Sequence, residues 1–156
     1  MTFACAETTN GPLAGASDAW ASAPEPTSSP IGHPARAGAV WEGYSEVLRS
    51  PSVTSAPFIS RGHQPEQLVD IRVSEGARPT YAALVTDSVF PNGTVLAELS
   101  HNASGNGFVM RKSGGVWSYF ELDAQGALLA NGDLALCAGC HAQAPADRVF
   151  GLPRGP

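Results

Sequence analysis

Cys137-Ala138-Gly139-Cys140-His141 places two thiols three positions apart and an imidazole directly after the second. On an α-helix these are positions i, i+3 and i+4, so the three side chains share one face. Two thiols at this spacing can add across the two vinyl groups of one porphyrin while the adjoining histidine offers a ring nitrogen to the iron. This is the pattern of a c-type haem attachment site. The expectation is one covalently attached haem c per chain, with Cys137 and Cys140 as thioether donors and His141 as the axial, iron-binding residue.

Three other chemistries use similar residues. A dithiol redox motif normally opens a helix after a strand in a βαβ unit, and no such pattern precedes Cys137. A structural zinc site would need two further ligands, and only His33, His63 and His101 remain, without a second Cys pair or closely spaced His pair. A plain disulfide would leave His141 unexplained. No methionine occurs in the 15 residues after His141, so the sequence offers no downstream Met as a sixth ligand. The polypeptide facing the other side of the cofactor is therefore expected to precede the attachment helix.

The elements that must position this motif occupy a chain of 156 residues, read as one domain, with 43% hydrophobic and 15% charged residues. Its formal net charge is −5. With no Lys/Arg cluster, this argues against nucleic acid or an anionic membrane as partner. Covalent haem attachment in bacteria takes place outside the cytoplasmic membrane, so the motif implies a periplasmic or otherwise exported protein. The first residues lack a charged and an apolar segment of the signal-peptide kind. Cys5, preceded by Ala4, is read as following a truncated lipoprotein signal that would give a lipid anchor. The alternative is a free thiol in a loose tail. Residues 1–35 are rich in Ala, Ser, Thr, Gly and Pro and are expected to form a disordered tether; His33 lies in it. The folded domain is expected over 36–156.

Within that domain, Val40, Trp41, Tyr44, Val47 and Leu48 recur at helical spacing up to Ser50-Pro51. Trp41 and Tyr44 are expected in the core. Leu68–Val73 alternates as a half-buried strand, with Val69, Ile71 and Val73 on one side. Glu75–Thr86 is read as a short helix with Pro79 in its first turn. Phe90-Pro91-Asn92-Gly93 follows as a turn, then Thr94–Leu99 as a strand. Phe108–Lys112 and Val116–Glu121 flank Ser113-Gly114-Gly115 as a β-hairpin. In its second strand Val116 and Phe120 point one way, Trp117 and Tyr119 the other. Asn131-Gly132-Asp133 is read as a turn and helix N-cap before an attachment helix running to about Ala142.

Several of these stretches, in this order, carry a family resemblance. Phe90-Pro91-Asn92-Gly93-Thr94-Val95, Gly105-Asn106-Gly107-Phe108-Val109-Met110, Trp117-Ser118-Tyr119-Phe120, Cys137-Ala138-Gly139-Cys140-His141-Ala142 and Asp147-Arg148-Val149-Phe150 together resemble the cytochrome P-460 family, which includes cytochrome c′-beta. The resemblance spans about residues 64 to 151. It implies an α+β fold, mainly antiparallel sheet with a few helices, in a homodimer holding one high-spin haem c. Its iron would be open on one side to nitric oxide or other small nitrogen oxides. Members that oxidise hydroxylamine carry a link from a lysine to the porphyrin. Here the matching strand reads Val95-Leu96-Ala97-Glu98-Leu99, without lysine. The single lysine of the chain, Lys112, is expected to be solvated near a strand end. No lysine cross-link is expected.

For the open side of the haem, the candidates are Phe90 as an aromatic cap and the face carrying Phe108 and Met110, core packing being the alternative for each. Glu98 could shuttle protons over the haem, but an outward-facing strand glutamate is the favoured reading. His63 and His101 are candidate sixth ligands or surface residues. The second nitrogen of His141 should be bonded to a backbone carbonyl or water. Three functions follow as expectations: a five-coordinate haem protein that binds nitric oxide and takes part in redox chemistry with a partner protein; a hydroxylamine-oxidising enzyme; or a simple electron-transfer cytochrome.

Overall fold

The computed structural model describes residues 38–63, 66–103, 105–132 and 134–152. The expected tether over 1–35, with Cys5 and His33, and the expected N-cap Asp133 lie outside these residues. The described chain is an α+β fold built on one six-stranded antiparallel sheet, with strands in sequence order: β1 Phe58–Ser60, β2 Gln67–Val73, β3 Val95–Ser100, β4 Gly107–Ser113, β5 Val116–Leu122 and β6 Leu128–Gly132. The helices are short: α1 Tyr44–Arg49, α2 Arg78–Ala82 after a 3-10 turn at Glu75–Ala77, and α3 Ala135–His141.

Local chemistry explains most of these boundaries. Gly114 and Gly115, at φ of 57° and 81°, close the β4–β5 hairpin as a two-residue turn with Ser113 paired to Val116. Positive φ at both central positions gives the twist that antiparallel strands need. Gly93, at φ of 86°, turns the chain into β3, and the Thr94 hydroxyl donates to the Pro91 carbonyl at 2.7 Å. The Gly93 N–H donates to the Lys112 carbonyl, which seats this turn on the end of the hairpin. Pro79 stands in the first turn of α2, where its missing N–H costs no helical bond.

Both sides of the sheet are covered. Register places Leu96 opposite Met110 and Met110 opposite Tyr119 on one face. With Val73, Ala77, Tyr81, Phe90, Trp117 and Val149 they form one buried cluster, against which Leu134, Cys137 and Ala138 pack. The other face carries Val95, Ala97, Val109, Phe120, Leu122 and Leu128 under Trp41 and Val47. Trp41 lies 5.1 Å from Phe120, centroid to centroid. The alternating apolar residues of β5 thus serve two layers, Trp117 and Tyr119 in one and Phe120 in the other. Val116, at the hairpin end, is exposed.

Four expectations are corrected. Helix α1 begins at Tyr44; Val40 forms a bridge with Ala127 and is exposed, and Leu48 is exposed, so the apolar spacing overstated the helix. The helix over Glu75–Thr86 stops at Ala82. Asn131-Gly132 belongs to β6, where Asn131 pairs with Phe120 and Gly132 with Tyr119, and is no turn. Lys112 is 6% exposed rather than solvated. Its ammonium donates to the Phe90 carbonyl at 2.9 Å and to Asp147 at 2.7 Å, partners supplied by segments distant in sequence.

Candidate functional site

Helix α3 crosses the first face of the sheet, and a cavity of about 710 Å³ opens between them. Cys137, Cys140 and His141 all line it. The helical spacing thus delivers the three side chains to one space, while Leu136 on the opposite side of α3 is exposed. Cys137 is a free thiol, so the two cysteines are not joined to each other; the Cys140 sulfur is in a disulfide. Burial, followed by the negative charge of Glu121, pushes the Cys137 thiol above its ordinary pKa.

His141 is held by the segment that follows its own helix. Its Nδ1 lies 2.8 Å from the Arg148 carbonyl oxygen. A carbonyl only accepts, so Nδ1 carries the proton and Nε2 keeps a lone pair. The expected backbone carbonyl is therefore present, and it belongs to Arg148. Burial holds the imidazole below its ordinary pKa, outweighing the Arg148 bond that favours the cation. Tyr119 and Phe150 flank the ring at centroid distances of 5.3 and 5.5 Å. A neutral imidazole with one defined tautomer is the form in which histidine ligates metals.

The sheet supplies the opposite wall. Met110, Leu96 and Ile71 give it an apolar surface, and Phe108 lies at its edge. Glu98 also lines the cavity, with its side chain 15% exposed, and its Oε1 is 2.9 Å from His63 Nδ1. The favoured outward-facing reading of Glu98 is corrected: register with Phe108 and Ile71 puts it on the cavity side. His63 reaches the cavity too, whereas His101 pairs with Asp70 at 3.3 Å, away from it. Phe90 is no cap. It is 1% exposed, packed against Tyr81 and Trp117, and absent from the lining.

Tyr81 and Tyr119 line the cavity as well, yet the sequence marks neither as a site residue. Burial, then the charge of Glu98, raises the Tyr81 phenol to about 12, so it stays protonated. Tyr119 is signalled by the alternation of β5 and by the Trp117-Ser118-Tyr119-Phe120 stretch of the family resemblance, but neither assigns it to the cavity. With the Cys140 disulfide reduced, the donor set suits a covalently held porphyrin: two sulfurs, one neutral imidazole and an apolar wall across a space within the range of ligand sites. No group of three or more His, Cys, Asp or Glu residues that could hold a bare metal ion is found among the described residues. None of their helices is long and apolar enough to cross a membrane. Compared with known proteins, the chain matches no family model and no curated sequence.

Proposed function

We propose that the chain is an exported mono-haem c-type protein whose iron is five-coordinate, binds nitric oxide or a similar small ligand, and takes part in redox chemistry. The observation that carries this reading is the convergence of Cys137, Cys140 and the tautomer-fixed His141 on one cavity. Cys137 and Cys140 would hold haem c by thioethers, and His141 would bind its iron through Nε2. When bound, that group supplies a metal able to take a diatomic ligand and to change oxidation state. Thioether formation needs the Cys140 sulfur reduced, so its disulfide and the attached form are alternative states of one residue.

The chain's own residues support ligand binding over hydroxylamine oxidation. Lys112, the single lysine, is buried against Asp147 and does not line the cavity, so no lysine is offered to a porphyrin there. Met110 and Leu96 make that wall apolar, which suits an uncharged diatomic ligand. The Glu98–His63 pair is the one observation favouring the enzyme, because oxidation of hydroxylamine releases protons that such a pair could accept. His63 in the cavity favours the electron-transfer reading, in which it would fill the sixth position. Export to the periplasm, a lipid anchor at Cys5 and a homodimer belong to the same proposal; light scattering and mass analysis of Cys5 test the last two.

The test is maturation of the protein with haem-attachment machinery under reducing conditions. Wild type should gain the mass of one haem and show a high-spin spectrum that changes on adding nitric oxide. Cys137→Ala and Cys140→Ala should weaken attachment, and His141→Ala should alter the spectrum. A low-spin spectrum would favour the electron carrier, and turnover of hydroxylamine with an acceptor would favour the enzyme. Colourless protein would end all three.

A further inference from the structure

The carbonyl that bonds His141 sits in a segment tied to the sheet by a partly buried ion pair. Asp147 and Arg148 have φ of 45° and 65°, two successive left-handed residues without glycine. Non-glycine residues hold that conformation only where their surroundings impose it. Here the surroundings are visible. The Asp147 carboxylate accepts from the Phe90 N–H at 2.8 Å, from Lys112 Nζ at 2.7 Å and from Trp117 Nε1 at 3.2 Å. Lys112 also donates to the Phe90 carbonyl. The next residue, Arg148, presents its carbonyl to His141 Nδ1 and its guanidinium to the Ala138 carbonyl of α3 at 3.2 Å.

We propose that Lys112 and Asp147 are positioning residues for His141: they pin the Ala146–Val149 turn to β4 and β5, so that the Arg148 carbonyl fixes the tautomer and ring plane of the axial histidine. This rests on the reading of His141 as an iron ligand, although the tautomer itself can be read without iron. Residues behind a ligating histidine typically change metal affinity or activity by about 10–100-fold when altered. Their influence passes through the orientation and basicity of the imidazole.

The experiment compares wild type with Asp147→Asn and with the double variant Lys112→Met/Asp147→Asn. The double variant leaves no uncompensated buried charge if the single one fails to fold. Each is matured with haem-attachment machinery, checked for fold by circular dichroism and for haem by intact mass, and examined in two ways. Resonance Raman should show the iron–histidine stretch shifted and broadened in the variants, with carbon monoxide affinity changed by about 10-fold or more. In haem-free protein, ring ¹⁵N shifts of His141 should report one tautomer, Nδ1–H, in wild type and a mixture in the variants. Folded variants with the wild-type stretch and tautomer would overturn the proposal. If wild type takes up no haem, the haem reading fails, and the nitrogen shifts alone decide whether Asp147 orients His141.

Discussion

The imidazole of His63 lies flat on the ring of Phe108, with centroids 4.0 Å apart and planes 14° from parallel. His63 comes from the loop between β1 and β2, and Phe108 from β4, so the stack holds that loop over the cavity edge while Glu98 holds its Nδ1. Phe108→Leu should remove the ring and free the loop. In proton NMR the His63 ring signals, displaced upfield by Phe108 in wild type, should return toward values of an exposed histidine. Unmoved signals would mean that the stack does not persist in solution.

The environment of Lys112 sets a large penalty for removing it. A solvated lysine would change stability by about 0.5 kcal/mol or less on truncation. Lys112→Ala instead removes the cation from a half-buried Asp147 carboxylate, which keeps its bonds from the Phe90 N–H and Trp117, and takes a donor from the Phe90 carbonyl, so the cost should be about 1–3 kcal/mol. Urea unfolding of the variant against wild type measures the difference. A value near zero would place the lysine in solvent after all.

Asp147 adds a pH dependence of defined sign. Burial alone would raise its pKa, but the bonds from Lys112, the Phe90 N–H and Trp117 outweigh that and leave it lowered. A carboxylate whose pKa is lower folded than unfolded contributes stability fully above the unfolded value, about 3.9. That contribution is lost as pH falls from there through the folded value. Unfolding free energies of wild type and Asp147→Asn, measured from neutral to acid pH, should differ most near neutrality and converge at the acid end. Parallel curves would refute it.

Two glycines should respond to alanine in opposite directions. Gly126, at φ of 82°, closes the β5–β6 turn, and a Cβ there would run into the Tyr44 ring. Gly126→Ala should cost roughly 2–4 kcal/mol, from the left-handed backbone and the displaced ring. Gly139 lies inside α3 with open space where a Cβ would stand. Gly139→Ala should stabilise by about 0.5–1 kcal/mol through helix propensity. Thermal unfolding of the two variants checks both signs.

What could be read from the chain was whatever is encoded locally. The β4–β5 hairpin announces itself because alternation on both sides meets a Gly-Gly turn, and α3 because its chemistry has helical spacing. Strand β6 is hidden because Asn131-Gly132 has the composition of a turn, and only pairing with Tyr119 and Phe120 makes it a strand. Strand β1, three residues after Pro57, is too short to show a period. The solvated reading of Lys112 and the outward-facing reading of Glu98 failed for one reason. Each side chain owes its environment to a residue at least 22 positions away, and no local pattern carries that information.

Because each strand of the sheet pairs with its neighbours in sequence, four of the five ladders close through loops of six residues or fewer, while residues 74–94, with α2, join β2 to β3, and such local pairing favours rapid assembly. The closures that span most chain join the segment before α1 to the start of β6, where Val40 bridges Ala127 and the Gly38 N–H donates to the Leu128 carbonyl, and the turn after α3 reaches back to Phe90 and Lys112. None of the five ladders uses a residue of α3 or of the turn that follows it, so the cysteine-bearing end packs on a sheet whose own pairing is complete without it.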